Sequence, residues 1–153
     1  MLPLPVSALK VASVALRNPL NRGRSVALTY EQFRYGFANA VSEDEARKLY
    51  DTYSVPGPGA PLFQAAAANF NPASQTKVHA KNPARGPLLI ISGEMDHTVP
   101  HAIAYASYKQ QRHNPGVTEF HEVPGRGHSL TIDSGWREVA DTSLGFIQKH
   151  ALA

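Results

Sequence analysis

Apolar residues recur at two different spacings along this chain, and the change falls near Asn82-Pro83. Before it they return every three or four positions, the period of a helix with one buried face. Val6, Leu9, Ala12 and Leu16 mark such a stripe over residues 6–17, and Tyr30, Phe33, Arg34 and Phe37 share a second face behind Thr29. Ser42 and Glu45 make the S-x-x-E pattern of a capping box, in which each side chain satisfies a backbone N–H of the other. They predict a third helix through Ala46, Leu49, Tyr50 and Tyr53. Residues 55–61, VPGPGAP, are expected to be loop, because Pro and Gly repeatedly interrupt regular structure. Residues 62–69 are a fourth helical candidate.

After Pro83 the pattern changes. Pro87-Leu88-Leu89-Ile90-Ile91-Ser92 is an unbroken apolar run ended by Gly93. Continuous apolarity, rather than alternation, predicts a strand covered on both faces, as in a parallel sheet. Thr98 is the expected N-cap, and Pro100 the first-turn residue, of a helix through Ile103, Ala106 and Ser107 towards Gln111. Asn114-Pro115-Gly116 breaks the chain, residues 117–123 read as a second strand, and Pro124-Gly125-Arg126-Gly127 as a turn. A last helix follows Asp133 or Ser134, with Trp136, Val139, Ala140, Leu144 and Ile147 on one face. Strand, helix, strand, helix predicts an α/β fold with two parallel strands joined by a crossover. Two regions result: a helical one over residues 1–83 and an α/β one over residues 84–153.

Composition narrows the classes. The 153 residues are one ordinary domain's worth, and the absence of cysteine excludes disulfides, thiolate metal sites and cysteine nucleophiles. Fifteen Lys and Arg against twelve Asp and Glu is a weak imbalance, and Arg17, Arg22 and Arg24 are too sparse for a nucleic-acid or anionic-membrane footprint. Pro3, Pro5 and Lys10 interrupt the apolar start, the reverse of a signal peptide's order. No stretch reaches the roughly 18 uncharged apolar residues of a spanning helix. The expectation is a cytoplasmic chain with no nucleic-acid partner.

The candidate chemistry lies just past the C-terminal ends of the two strands, where α/β proteins usually place it. Asp96 sits in Gly93-Glu94-Met95-Asp96-His97, and His128 in Gly125-Arg126-Gly127-His128-Ser129. One intervening helix brings these two turns side by side. A carboxylate bonded to one imidazole nitrogen fixes the ring's tautomer and leaves the other nitrogen to take a proton. A metal reading of Glu94, Asp96, His97 and His101 is weaker. His97 and His101 have i, i+4 spacing, but the expected helix start falls between them. No metal or cofactor is expected. His97 is assigned to shaping the turn, and His79, His113, His121 and His150 to the surface.

The segments PLLIISGEMDHTVP, PGRGHSLTID and GWREVADTSLGFIQKH resemble the last two strands and last helix of the α/β-hydrolase family. The likeness covers roughly residues 85–150, and the preceding helices resemble that family's cap by character only. The family orders its triad as nucleophile, acid, histidine. The resemblance therefore implies Asp96 as the acid and His128 as the base. The chain departs from the pattern in having no G-x-S-x-G elbow and no oxyanion loop; Ser92 and Ser129 have the wrong context and are read as structural. In the family's order, strands one to six would lie upstream of Met1. The implied function is hydrolysis of an ester-type bond in a small apolar substrate, with this chain alone inactive. An aspartate nucleophile acting on halides or epoxides, with a cap tyrosine as electrophile, is the alternative enzyme. A third reading is a non-catalytic module that binds an upstream hydrolase half, or a copy of itself, through an open sheet edge.

Two strands are fewer than independent sheets usually need, and an open edge invites association. By itself the chain is expected to unfold broadly in denaturant and to elute as associating species in size-exclusion chromatography. A sharp cooperative transition in a monodisperse monomer would count against the half-hydrolase reading.

Overall fold

Side-chain capping marks where two of the early helices begin. Thr29 Oγ1 accepts from the Gln32 N–H at 3.3 Å while Gln32 Oε1 accepts from the Thr29 N–H at 2.9 Å, a complete reciprocal box that starts α2 (Tyr30–Gly36). Ser42 opens α3 (Glu43–Tyr53) with only half of that device, accepting the Glu45 N–H at 3.3 Å. The expected return bond is missing because the Glu45 carboxylate turns to Ser134, whose hydroxyl donates to it at 3.1 Å and whose N–H also donates. A local signal in the sequence thus becomes a long-range tie.

The computed structural model describes residues 5–68, 70, 71, 74 and 78–150. Over these the chain is a mixed α/β protein with six α-helices and a small parallel sheet. Helices α1 (Val6–Leu16), α2, α3 and α4 (Ala60–Ala68) form the first region. Its core is Phe33, Ala38, Ala46 and Leu49, with half-buried Leu28, Tyr30, Phe37, Tyr50 and Ile132 packed around them. Phe33 stacks on Phe37 at 5.4 Å and meets Tyr50 edge-on at 5.5 Å. Residues 55–61 are not all loop. Gly57–Pro58 (β2) pairs antiparallel with Ser25–Val26 (β1), and α4 begins at Ala60. Pro61 fits there because the first turn has no use for its missing N–H. Asn69, the expected end of that helix, lies outside the described residues, as do residues 1–4 and 151–153.

In the second region, β3 (Leu88–Gly93) runs parallel to β4 (Thr118–Val123), with Leu88 opposite Thr118 and Gly93 opposite Val123. Helix α5 (His101–Gln111) connects them and α6 (Trp136–His150) follows. The two helices cover opposite faces. Phe120 packs against His101, Tyr105 and Tyr108 of α5. Val123 packs with Val139 of α6, and Glu119 is bonded by Lys149 and His150 of the same helix. Alternation along a strand requires this separation, since neighbouring side chains point to opposite faces.

Coverage is thinner than the apolar run predicts. Leu88, Leu89, Ile90 and Ile91 are only half-buried, and β3 has no strand on its other side among the described residues. On α6 only Val139 is buried, while Trp136, Leu144 and Ile147 of the expected apolar face are 43–52% exposed. His150 is not a free surface residue: its Nε2 lies 2.7 Å from Glu119 Oε1, and His121 is half-buried. Thr98 does not cap α5. Pro100 holds that position, and Thr98 Oγ1 donates instead to the Gly36 carbonyl at 2.7 Å. No helix among the described residues is long and apolar enough to cross a membrane.

The ends of β3 and β4 approach each other so closely that one position admits no side chain. A Cβ on Gly93 would lie 2.5 Å from the Gly127 carbonyl oxygen and 2.6 Å from that of Arg126, both backbone atoms that cannot swing aside. Gly93→Ala is expected to lower the unfolding free energy by about 1–3 kcal/mol, the usual cost of overpacking. Urea denaturation checks this; an unchanged midpoint would mean the strand ends separate easily.

Candidate functional site

Two turns, one after each parallel strand, are laced together by two backbone bonds and one to a side chain. Glu94 N–H donates to Val123 O at 3.1 Å, Met95 N–H to Arg126 O at 2.8 Å, and Gly125 N–H to Glu94 Oε2 at 2.7 Å. Gly125 supports the sharp reversal with φ +66°, a conformation that costs glycine little. The helical region grips the first turn from the other side. Asn39 Nδ2 donates to Met95 O at 2.8 Å, His97 Nδ1 lies 2.8 Å from Tyr35 O, and Thr98 donates to Gly36 O.

Asp96 and His128 meet at the centre of this arrangement. His128 Nδ1 lies 2.8 Å from Asp96 Oδ2. The other carboxylate oxygen accepts from Thr98 N–H at 2.7 Å and Val99 N–H at 2.8 Å, so the side chain cannot rotate without breaking both. Asp96 is 7% exposed. Burial pushes its pKa up. The bonds from His128, Val99 and Thr98 and the attraction of the imidazole outweigh that, holding the carboxyl below its ordinary value. Facing an ionised carboxylate, Nδ1 carries the ring proton, which leaves the Nε2 lone pair free in the neutral ring. Nε2 has no hydrogen-bond partner among the described residues, and the side chain is 28% exposed. Phe37 packs on the ring at 4.9 Å, with planes at 74°.

A second buried carboxylate fixes the loop that carries His128. Asp133, 2% exposed, accepts from Ser129 Oγ at 2.8 Å and from Gly135 N–H at 3.0 Å, and pairs with the Arg126 guanidinium. Arg126 also donates to Gly135 O at 3.1 Å. Ser129 follows His128 directly, but its hydroxyl is committed to Asp133. Ser92 Oγ is buried without a partner, and neither serine is bonded to His128. The structure therefore sets a buried carboxylate against one imidazole nitrogen, and neither serine hydroxyl against the other among the described residues.

The four residues weighed as metal ligands diverge. His97 turns to Tyr35. His101 Nδ1 lies 2.7 Å from Glu122 Oε1, an ion-pair distance but out of line for a hydrogen bond. Among the described residues no three His, Asp or Glu side chains gather as a metal site would require. Two tyrosines of the helical region are engaged away from His128: Tyr30 donates to Glu43 at 2.6 Å and Tyr50 to Leu28 O at 3.0 Å. Sequence reasoning missed the role of Phe37 against the imidazole and the Arg126–Asp133 clamp. The available signal for the clamp was an arginine placed inside an otherwise small, glycine-rich turn.

Comparison with family models, with curated proteins and with solved structures finds no match for the chain.

Asp96 gives the fold a specific pH signature. Its folded pKa is depressed, so its stabilisation is present above the ordinary carboxylate value of about 3.9 and is lost as pH falls through the folded value. The difference in unfolding free energy between wild type and Asp96→Asn is expected to be full near about pH 5 and to shrink below about pH 4. Urea titrations across that range decide it; a difference that stays constant on acidification would show that Asp96 is not a stabilised anion.

Proposed function

We propose that this chain supplies the acid and base of an α/β-hydrolase-type catalytic triad that cleaves an ester-type bond in a small apolar substrate. The observation that carries the reading is the 2.8 Å contact between His128 Nδ1 and Asp96, with Nε2 unpartnered among the described residues and the side chain 28% exposed. The resemblance of residues 85–150 to the end of that family's fold supports it, as does the chain order of acid before histidine. In the proposed reaction a hydroxyl nucleophile outside these residues attacks the carbonyl. His128 Nε2 takes its proton, and the Asp96 anion stabilises the imidazolium. The same proton then passes to the departing alcohol, and water resolves the covalent intermediate by the reverse exchange. No cofactor enters. Acyl transfer draws most of its acceleration from the attacking group and from donors to the oxyanion, so the 153-residue chain by itself is assigned no turnover.

A non-catalytic, partner-binding role is the second reading. The edge of β3, unpaired among the described residues, and the exposed Trp136, Leu144 and Ile147 favour it. The two readings separate in one experiment. The reading frame is extended upstream of Met1 and the product assayed on p-nitrophenyl esters. A strand–G-x-S-x-G–helix segment in the extension, with turnover that falls by roughly 10³–10⁴-fold in His128→Ala and Asp96→Asn, is the expected result. An extended or isolated chain that cleaves esters equally well without His128 would overturn the proposal. A frame with no such segment, in itself or in a neighbouring gene, would leave the partner-binding role.

A further inference from the structure

All twelve acidic residues fall within residues 31–51 or 94–141. Several elements of the first region therefore carry no carboxylate: α1, the 3₁₀ turn Pro19–Gly23, the β1–β2 pair and α4. Lys10, Arg17, Arg22 and Arg24 lie on α1 and the stretch that leads from it to β1, and all four are exposed. Lys10 leans over the Tyr35 ring, 3.7 Å from its centroid. The three arginines have no ion-pair partner among the described residues. The same elements, with the loop before β2, also present large apolar side chains to solvent: Val6, Leu9, Leu20, Val55 and Leu62 are 43–83% exposed. Val6 and Leu9 are neighbours on one face of α1, and Leu9, Val55 and Leu62 rim a single cleft, so the apolar surface runs on from α1 to α4. Two bonds hold the arginine-bearing turn beside it. Asn21 Nδ2 donates to Ala15 O at 2.9 Å, and Gly59 N–H to Arg24 O at 3.0 Å.

Along the sequence these arginines are too sparse to mark a footprint. The fold changes that by setting them beside exposed aliphatic side chains on a surface without an acid. We infer that this face docks on an anionic phospholipid surface, its aliphatic residues entering the boundary between headgroups and acyl chains and its arginines meeting lipid phosphates. Both halves of the face are used there. A nucleic acid would meet the arginines but leave Val6, Leu20 and Val55 in water, and no aromatic ring of these elements is exposed for a base to stack on. A second copy of the chain would bring like charges together. Docking of this kind needs neither a nucleophile nor ester cleavage.

The test is flotation of the 153-residue chain with vesicles in a sucrose gradient, where bound chain rises and aggregate sinks. Vesicles of equal parts phosphatidylglycerol and phosphatidylcholine are compared with phosphatidylcholine alone. The chain is expected to bind the anionic vesicles about tenfold more tightly or better, and raised salt is expected to release it. Each cation near an anionic surface is worth roughly fivefold in affinity, so Arg22→Gln with Arg24→Gln is expected to weaken binding roughly 25-fold. Val6→Ser with Val55→Ser removes two aliphatic groups from the boundary and is expected to cost about tenfold or more. All four side chains are exposed, so the fold is retained, which circular dichroism verifies. Equal binding to both kinds of vesicle overturns the inference, because it would mean partition through an uncharged apolar surface such as that of α6. So does binding that survives the arginine pair, since the lipid charge would then be read elsewhere, or the valine pair, since the contact would then be a diffuse attraction of a basic chain for anions. A chain that ignores both vesicles overturns it as well, and retardation of a mixed-sequence oligonucleotide by that chain would make the face a nucleic-acid surface instead.

Discussion

A single buried carboxylate organises the α/β half of this protein. Asp96 collects three donors, the N–H groups of Thr98 and Val99 and the His128 ring. A buried anion is tolerable only when its oxygens are satisfied, so each partner is required by the charge as much as the charge is by them. Satisfying one oxygen shapes the turn after β3; satisfying the other aims the imidazole that follows β4. The helical region attaches at the same place, through Tyr35, Gly36 and Asn39. Packing, turn conformation and the orientation of the imidazole therefore hang on one group.

A division of labour between two acids follows. Asp96 orients His128, and Asp133, with Arg126 and Ser129, anchors the loop on which His128 sits. The first interaction faces a partly open site and the second is almost wholly buried. An imidazole that is to exchange a proton needs one nitrogen held and one free, and a fixed loop beneath it. The two carboxylates meet those demands separately.

Legibility in the sequence follows the range of the interaction that decides each feature. The strands at Leu88–Gly93 and Thr118–Val123 and the facing of Asp96 and His128 rest on periodicity and chain order, which are local and can be read. The features that escape it share one cause: a side chain with a familiar local role finds a better distant partner. Glu45 forsakes its capping box for Ser134, Thr98 forsakes the α5 N-cap for Gly36, and His150 is held by Glu119. Gly57–Pro58 reads as loop because its strand partner, Ser25–Val26, is remote in sequence. The apolar stripe of α6 is visible in the pattern. That nothing among the described residues covers most of it is not, because a periodic pattern records a face and not its neighbour.

The alternation along β4 has a consequence for how this site could have changed over evolutionary time. Phe120 and Glu122 look towards α5, and Glu119 and Val123 towards α6. Losing one residue from the strand would exchange the two sets, sending Phe120 to the α6 side and Glu119 to the α5 side, and would hand the turn to His128 with the opposite facing. Within β4, length is thus quantised in steps of two. Drift in this lineage would be confined to substitutions and paired indels inside the strand, while single-residue insertions could accumulate only in loops such as that at Asn114-Pro115-Gly116, before the strand's phase is set.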